Sequence, residues 1–278
     1  LWKIYTSNWK VQFYGIKEEN IKKQMNYLVG DIGNTLTKIS ILNDKFYIKK
    51  SYSVDTNKLD KNKNINKFFN KILNNNLNKK VLFSSVVPKV YKIIKKYLEK
   101  NNIKSFEIKD LKIKKILKIN IKNFNQLGSD RIVNAIGSKN IKNCIIIDFG
   151  TATTFDILKN GVYDGGVIAP GVDLSIKNLN KFTALLPLLN LNNKQKNYGK
   201  NTKEALNAGF LWGYEGLVNN IINKIIIKSK KNYKIILTGG YAKIFKKFIK
   251  KKATIDQNIT IKGIAKVFKE LLLWVKKN

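Results

Sequence analysis

Two stretches of this chain repeat one grammar, and the repeat restricts the possible folds more than any other feature. Tyr27–Ser40 reads YLVGDIGNTLTKIS and Cys144–Ile157 reads CIIIDFGTATTFDI. Each starts with an apolar run that reads as a buried strand and ends that run on an aspartate, Asp31 or Asp148. One residue later comes a glycine, Gly33 or Gly150, and then side chains bearing amides or hydroxyls. The likeness continues past the turns. Thr37–Leu42, a turn at Asn43-Asp44 and Phe46–Val54 follow the first aspartate; Thr153–Leu158, a turn at Asn160-Gly161 and a strand toward Gly165-Gly166 follow the second. Each half thus opens with a three-strand meander whose first turn carries D-x-G.

Such a turn implies a chemistry. Glycine permits backbone angles that a side chain forbids, so the amides of Gly150, Thr151 and Ala152 are expected to approach a phosphate, with the hydroxyls of Thr151, Thr153 and Thr154 as further donors. Asp148 would repel a bare phosphate and calls for a cation beside it. One such turn reads equally well as a polar hairpin whose threonines serve strand propensity. Two copies favour the phosphate reading, because facing each other across a cleft they could grip the ends of one polyphosphate. Neither turn fits a GxxxxGK[ST] loop opening a helix, which disfavours a P-loop enzyme.

Composition narrows the mechanism. The 278 residues contain no histidine, so the commonest general base and transition-metal ligand is missing, and catalysis must use carboxylates, hydroxyls, lysines, backbone and metal ions. The single cysteine, Cys144, lies in an apolar run and reads as a packing residue. A hydrophobic content of 44% over this length is enough for a large core in two lobes. The formal charge of +36 invites a nucleic-acid reading. Lysine and asparagine are spread throughout, however, and Arg131 is the only arginine, whereas a base-reading surface uses several. Nucleic acid is therefore not the expected partner. One guanidinium among so many lysines suggests a place where a planar fork is required.

Residues 1–24 differ from the rest and hold no apolar run suited to a signal peptide. Met25 is the only methionine and directly precedes the first strand, so the functional chain is expected to begin there, with 1–24 an extension from an upstream start. Lobes are expected over 25–140 and 141–278. No uncharged stretch reaches membrane-spanning length, so a cytoplasmic protein away from membranes is expected.

Between the meanders, Lys58–Asn76 reads as an amphipathic helix, Val81–Phe83 as a buried strand and Lys89–Glu99 as a helix opened by Pro88. Phe106–Asn120 stays open between strand and loop. In NFNQLGSDRIVNAIG, Gly128-Ser129 makes a bend and Asp130 stands at a helix beginning, where it could be an N-cap. With Arg131 beside it, the pair could also serve as proton acceptor and anion clamp. Later, Gly165–Gly171 reads as a rigid turn into the helix Asp173–Asn180. Thr202 caps a long helix Lys203–Lys228, Ile235–Gly240 is a strand ending in paired glycines, and Ile264–Val275 is a closing helix. Strands and helices in this order imply a mixed α/β sheet with helices on its faces.

The motifs DIGNT (Asp31–Thr35), SSVVP (Ser84–Pro88), LGSDR (Leu127–Arg131), DFGTATT (Asp148–Thr154), GGVIAPG (Gly165–Gly171), TALLP (Thr183–Pro187), GKNT (Gly199–Thr202) and TGG (Thr238–Gly240) resemble type III pantothenate kinase in order and spacing. The resemblance covers Met25 to the C-terminus. It implies a duplicated ribonuclease-H-like fold, as in actin-like ATPases, with two lobes of mixed sheets flanked by helices. It also implies transfer of the ATP γ-phosphate to pantothenate, the first step of coenzyme A synthesis. Carried over, Asp31, Ile32, Gly33, Asn34, Thr35, Leu36, Thr37 and Lys38 line the first phosphate site, with Asp31 holding Mg²⁺ directly or through water. Asp130 is the proton acceptor. Gly128, Ser129, Asp130, Arg131 and Thr183 meet pantothenate, Thr151 meets ATP, and Asp148 holds a monovalent cation, K⁺ or NH₄⁺. A homodimer with substrate pockets near the subunit contact is implied as well. The family's Y-x-N-P ahead of G-x-D-R is here Ile121, Lys122, Asn123 and Phe124, so an isoleucine replaces a tyrosine that helps hold pantothenate. Two rival readings are a transcription accessory factor and a kinase for another small alcohol.

Overall fold

Along Cys144–Phe149 alternate side chains enter different cores. Cys144 and Ile146 face one apolar cluster, while Ile145, Ile147 and Phe149 face another. A strand has a side-chain period of two, so this one is buried on both faces. The computed structural model describes residues 25–73, 76–194 and 197–273. The expected extension over 1–24 lies outside the described residues, as do Trp274 and Val275 at the expected end of the last helix.

The first half runs β1 (Asn26–Ile32), β2 (Leu36–Leu42), β3 (Ile48–Asp55), α1 (Asn62–Phe69), β4 (Leu77–Ser85), α2 (Pro88–Lys100) and β5 (Lys104–Glu107). After α3 (Ser129–Gly137) come β6 (Cys144–Phe149), β7 (Ala152–Lys159), β8 (Val162–Pro170), α4 (Val172–Lys181), α5 (Thr202–Ser229), β9 (Lys234–Gly239), α6 (Ala242–Phe245), β10 (Ala253–Ile255) and α7 (Ile259–Val267). The first sheet has the order β3-β2-β1-β4-β5, and the second, taken from its β8 edge, β8-β7-β6-β9-β10. In each, an antiparallel meander is extended by two strands parallel to its first strand. The two meanders are those that the repeated turn predicts, and the whole is the duplicated ribonuclease-H-like α/β fold that the family resemblance implies.

The apolar clusters define the layers. α1 and α2 cover the outer face of the first sheet, and α4, α5 and α6 cover the outer face of the second. Between the sheets, α3 and α7 pack with Val29, Leu82, Ile146 and Ile236 in the central core. The two middle helices cross so closely that a Cβ on Gly263 would lie 1.9 Å from the Val133 carbonyl oxygen, and one on Gly137 2.5 Å from that of Ile259. Backbone cannot yield as a side-chain tip can. Gly263→Ala is therefore expected to destabilise the protein by about 1–3 kcal/mol or more, read as a lowered midpoint in urea.

Several expectations require correction. The helix expected over Lys58–Asn76 is a 3₁₀ turn at Thr56–Asp60 followed by α1, and β4 already begins at Leu77. The asparagines of that stretch are poor helix formers, and the chain must reverse there to enter the sheet. Gly165–Pro170 is not a turn but the end of edge strand β8, with a bulge that Gly165 accommodates at φ +96°. The cap of α5 is Asn201, whose side chain accepts from the Glu204 amide at 3.0 Å, and not Thr202. The closing helix starts earlier, at Ile259, because its apolar positions extend back to the inter-sheet core. Phe106–Asn120 holds the end of β5 and two 3₁₀ turns. Cys144 is fully buried, and burial pushes its thiol up to about 12, consistent with a packing role.

Candidate active site

β1 and β6 occupy equivalent places in their sheets, so their C-terminal ends bring the two D-x-G turns together. The Thr35 and Thr151 hydroxyls, one from each turn, are 2.9 Å apart. In each turn the glycine amide is taken up locally: that of Gly33 donates to Leu36 O, three residues on, at 3.0 Å, and that of Gly150 to Ala152 O, two residues on, at 3.1 Å. This corrects the expectation that the Gly150 amide is free for phosphate. Neither glycine has a positive φ, and a Cβ on Gly150 would meet only ordinary contacts. At Gly239, beside them, φ is +84° and a Cβ would lie 2.6 Å from Asp148 Oδ1, so a side chain there would displace the carboxylate.

Asp31, Asp130 and Asp148 converge at the mouth of these turns. Burial pushes the Asp31 carboxyl up to about 7, helped by Asp130 and Asp148 and opposed by Ser84 and Lys38. Burial and Asp130 push Asp148 up to about 6, against the Asn134 amide. Burial also raises Asp130, while the Arg131 amide, its guanidinium and Lys109 pull the other way. Asp31 Oδ1 is buried, and neither it nor the nearby Ser84 hydroxyl completes a hydrogen bond. Among the described residues no three carboxylates come close enough together to hold a metal ion by themselves, and the buried Asp31 Oδ1 is the hard oxygen that a cation carried in with phosphate would meet.

Of the stretch Asp31–Lys38, Ile32 is fully buried in the outer core and Thr37 is fully buried with its hydroxyl 2.9 Å from that of Thr56. The side chains of Ile32 and Thr37 are thus turned away from the turns, against the expectation, because a strand alternates its faces. Asn34, Thr35 and Leu36 are exposed at the lip. Lys38, paired with Asp31 across β1 and β2, donates to Asn258 Oδ1 of the second half at 3.0 Å.

Asp130 is the second residue of α3, whose N-cap is Gly128, so Asp130 is not the cap. Its carboxylate turns back to accept the Arg131 amide at 2.8 Å. A Cβ on Gly128 would lie 2.3 Å from that oxygen, so a side chain there would push the Asp130 carboxylate aside. Arg131 donates through Nε to Asp156 Oδ1 at 2.6 Å, and Tyr163 donates to the same oxygen at 2.8 Å. Burial raises the Asp156 carboxyl, and the guanidinium and the Tyr163 hydroxyl counter it. The fork is therefore already engaged on one edge by Asp156, and its Nη2 is buried where Gly166 leaves room. Ser129 is buried with its hydroxyl committed to Glu107, so only its backbone can meet a ligand. Thr183 stands apart: its hydroxyl donates to Leu179 O at 2.6 Å beyond α4.

Two residues were missed from the sequence. Asn134 donates to Asp148 Oδ2 at 3.3 Å and accepts from Thr260 Oγ1 at 2.7 Å. It lies four residues after Asp130, one helical turn along the same face, which was the available signal. Glu107 is a buried glutamate at the end of β5, in a chain with only 18 acidic residues.

The sequence profile of type III pantothenate kinase matches residues 27–224. The chain belongs to that family. A type III pantothenate kinase of Pelagibacter ubique is 46% identical over 239 residues, covering 85% of this chain and 96% of its own length. One from Sulfurihydrogenibium sp. is 41% identical over 247 residues, covering 85% and 97%. Among solved structures, a Campylobacter jejuni protein described as a Baf-family transcriptional activator superposes with a TM-score of 0.57 at 21% identity, covering 87% of this chain and 98% of that one. The activator of 2-hydroxyisocaproyl-CoA dehydratase from Clostridium difficile, solved with bound ADPNP, gives 0.50 at 15% identity, covering 87% and 93%. At these identities the two structures establish the fold alone.

Within this family frame, Thr151 gains a specific expectation. Losing one oriented donor to a charged group typically costs about 3 kcal/mol, so Thr151→Ala should lower kcat/KM for ATP strongly without abolishing it. Steady-state kinetics at varied ATP checks this.

Proposed function

We infer that this chain is a kinase that phosphorylates pantothenate in coenzyme A biosynthesis, and that the reaction runs at the convergence of Asp31, Asp130 and Asp148. The observation carrying the residue assignment is the 2.9 Å contact between Thr35 and Thr151, which sets the two D-x-G turns against each other. ATP lies between the turns in this reading, with its phosphates against Gly33–Thr35 and Thr151. Lys38 acts from the side of β2, and the buried side chains of Ile32 and Thr37 support the turn rather than touch ligand.

The pantothenate hydroxyl oxygen forms a bond to the γ-phosphorus while the bond from that phosphorus to the β-phosphate oxygen breaks, and ADP leaves. Asp130 takes the hydroxyl proton, and its raised basicity suits that role. Arg131 orients the pantothenate carboxylate, with Gly128 and the Ser129 backbone lining the approach. Asp31 is the residue that would hold Mg²⁺, directly or through water, and Asp148 with Asn134 behind it the one that would hold K⁺ or NH₄⁺. Such cations neutralise charge on the phosphates and between the carboxylates.

Residues 25–140 and 141–278 are proposed as the two lobes of the enzyme. A second copy of the chain is proposed against the α4–α5 face, where Phe182, Leu185 and Leu188 are 76%, 91% and 60% exposed beside a cavity of about 620 Å³ lined by Leu179, Leu206 and Phe210. Thr183 lies on that face. Among the described residues no helix is long and apolar enough to cross a membrane, and the cytoplasm is the proposed location. The test is ATP consumption with pantothenate against other small alcohols: turnover confined to pantothenate supports the reading, and equal turnover with unrelated alcohols contradicts it.

A further inference from the structure

Glu107 is buried, yet it takes part in no ion pair among the described residues. It is satisfied by hydrogen bonds from three separate segments. The Ser85 amide, at the end of β4, donates to Oε1 at 3.3 Å, and the Lys109 amide, after β5, donates to Oε2 at 2.6 Å. The Ser129 hydroxyl, on the first residue of α3, also donates to Oε1. Burying a carboxylate is costly even when every lone pair is used, and an apolar residue would fill the same corner at lower cost. The charge is therefore retained for what it holds in place.

What it holds is the start of α3. Ser129 and Asp130 are consecutive, so fixing the Ser129 hydroxyl fixes the rotation of the helix about its axis and with it the direction of the Asp130 carboxylate. Gly128 precedes them, and a Cβ there would lie 2.3 Å from Asp130 Oδ1, so the absence of a side chain leaves the carboxylate in this position. Lys109, anchored by its amide to Glu107, donates through Nζ to Asn125 O at 3.0 Å, and its charge acts on Asp130. We propose that Glu107 is a positioning residue for phosphoryl transfer, holding Asp130 on the acceptor hydroxyl through Ser129 and Lys109. This rests on Asp130 being the proton acceptor.

The test compares Glu107→Gln, Ser129→Ala and the double variant in the full-length enzyme, with Asp130→Asn as reference, by kcat, KM for each substrate and melting temperature. Each single variant is expected to lower kcat roughly 10- to 100-fold, the cost of a small misplacement of a catalytic group. KM for ATP should stay within about twofold, and the double variant should be no slower than the slower single, because both act on one element. A Ser129→Ala kcat within about twofold of the parent, or losses that multiply in the double variant, would overturn the proposal. Should Glu107→Gln fail to fold, Ser129→Ala decides alone, since it keeps both amide bonds to the carboxylate. Full turnover in Asp130→Asn would instead overturn the base assignment, whereas an inactive Asp130→Asn beside an unaffected Ser129→Ala would remove only the role of Glu107.

Discussion

Asp130→Asn is expected to lower kcat by about 10²- to 10⁴-fold, the range for loss of a general base, while ATP binds as before. Asparagine has nearly the shape of aspartate and can still accept the Arg131 amide that the carboxylate accepts at 2.8 Å, so α3 should keep its start. What it cannot do is take a proton. The substitution also removes the charge that raises both Asp31 and Asp148, so both carboxyls should titrate lower in the variant. Turnover together with ATP affinity checks this, and a variant with wild-type kcat would remove Asp130 from the proton transfer.

Stability of the cation-free protein should fall as pH rises from 5 to 8. The Asp31 and Asp148 carboxyls, from the ordinary aspartate value of 3.8, are raised on folding to about 7 and about 6. Between the unfolded and folded values the native chain binds more protons than the unfolded one. The stabilisation from these two groups is therefore complete below the unfolded value and is lost as pH passes through 6 and 7. Each contributes up to about 1.4 kcal/mol per pH unit across its window. A cation that binds the ionised carboxylates relieves the penalty. Mg²⁺ with K⁺ should thus raise the melting temperature more at pH 8 than at pH 5, and Mg-ATP should bind more weakly at pH 5.5 than at pH 8. A cation effect equal at the two pH values would contradict this.

The architecture was legible because the duplication is written locally. Each meander, its D-x-G turn and its apolar first strand fall within about thirty residues, where the period of two and the turn residues can be read directly. The lone arginine's partner Asp156, and Tyr163 that donates to the same carboxylate oxygen, come from a strand pair 25 and 32 residues away and could not be seen from the arginine itself. The parts that were not legible depend on contacts between distant segments. Asn258 reaches Lys38, Thr260 reaches Asn134, and Glu107 reaches Ser129, and nothing near those residues announces the partner. Thr37 shows the opposite failure: a threonine in a phosphate-binding stretch reads as a donor, but strand alternation turns it to Thr56. Gly150 misled in a similar way, because its amide closes its own turn on Ala152 O and is not free.

The claim that two halves grip one triphosphate is tested most directly by a crystal structure with Mg²⁺ and a non-hydrolysable ATP analogue. The account predicts phosphate oxygens within hydrogen-bond distance of both Thr35 and Thr151, with the metal on Asp31. Phosphates bound to one turn only, with the other still closed on itself and out of reach, would contradict it.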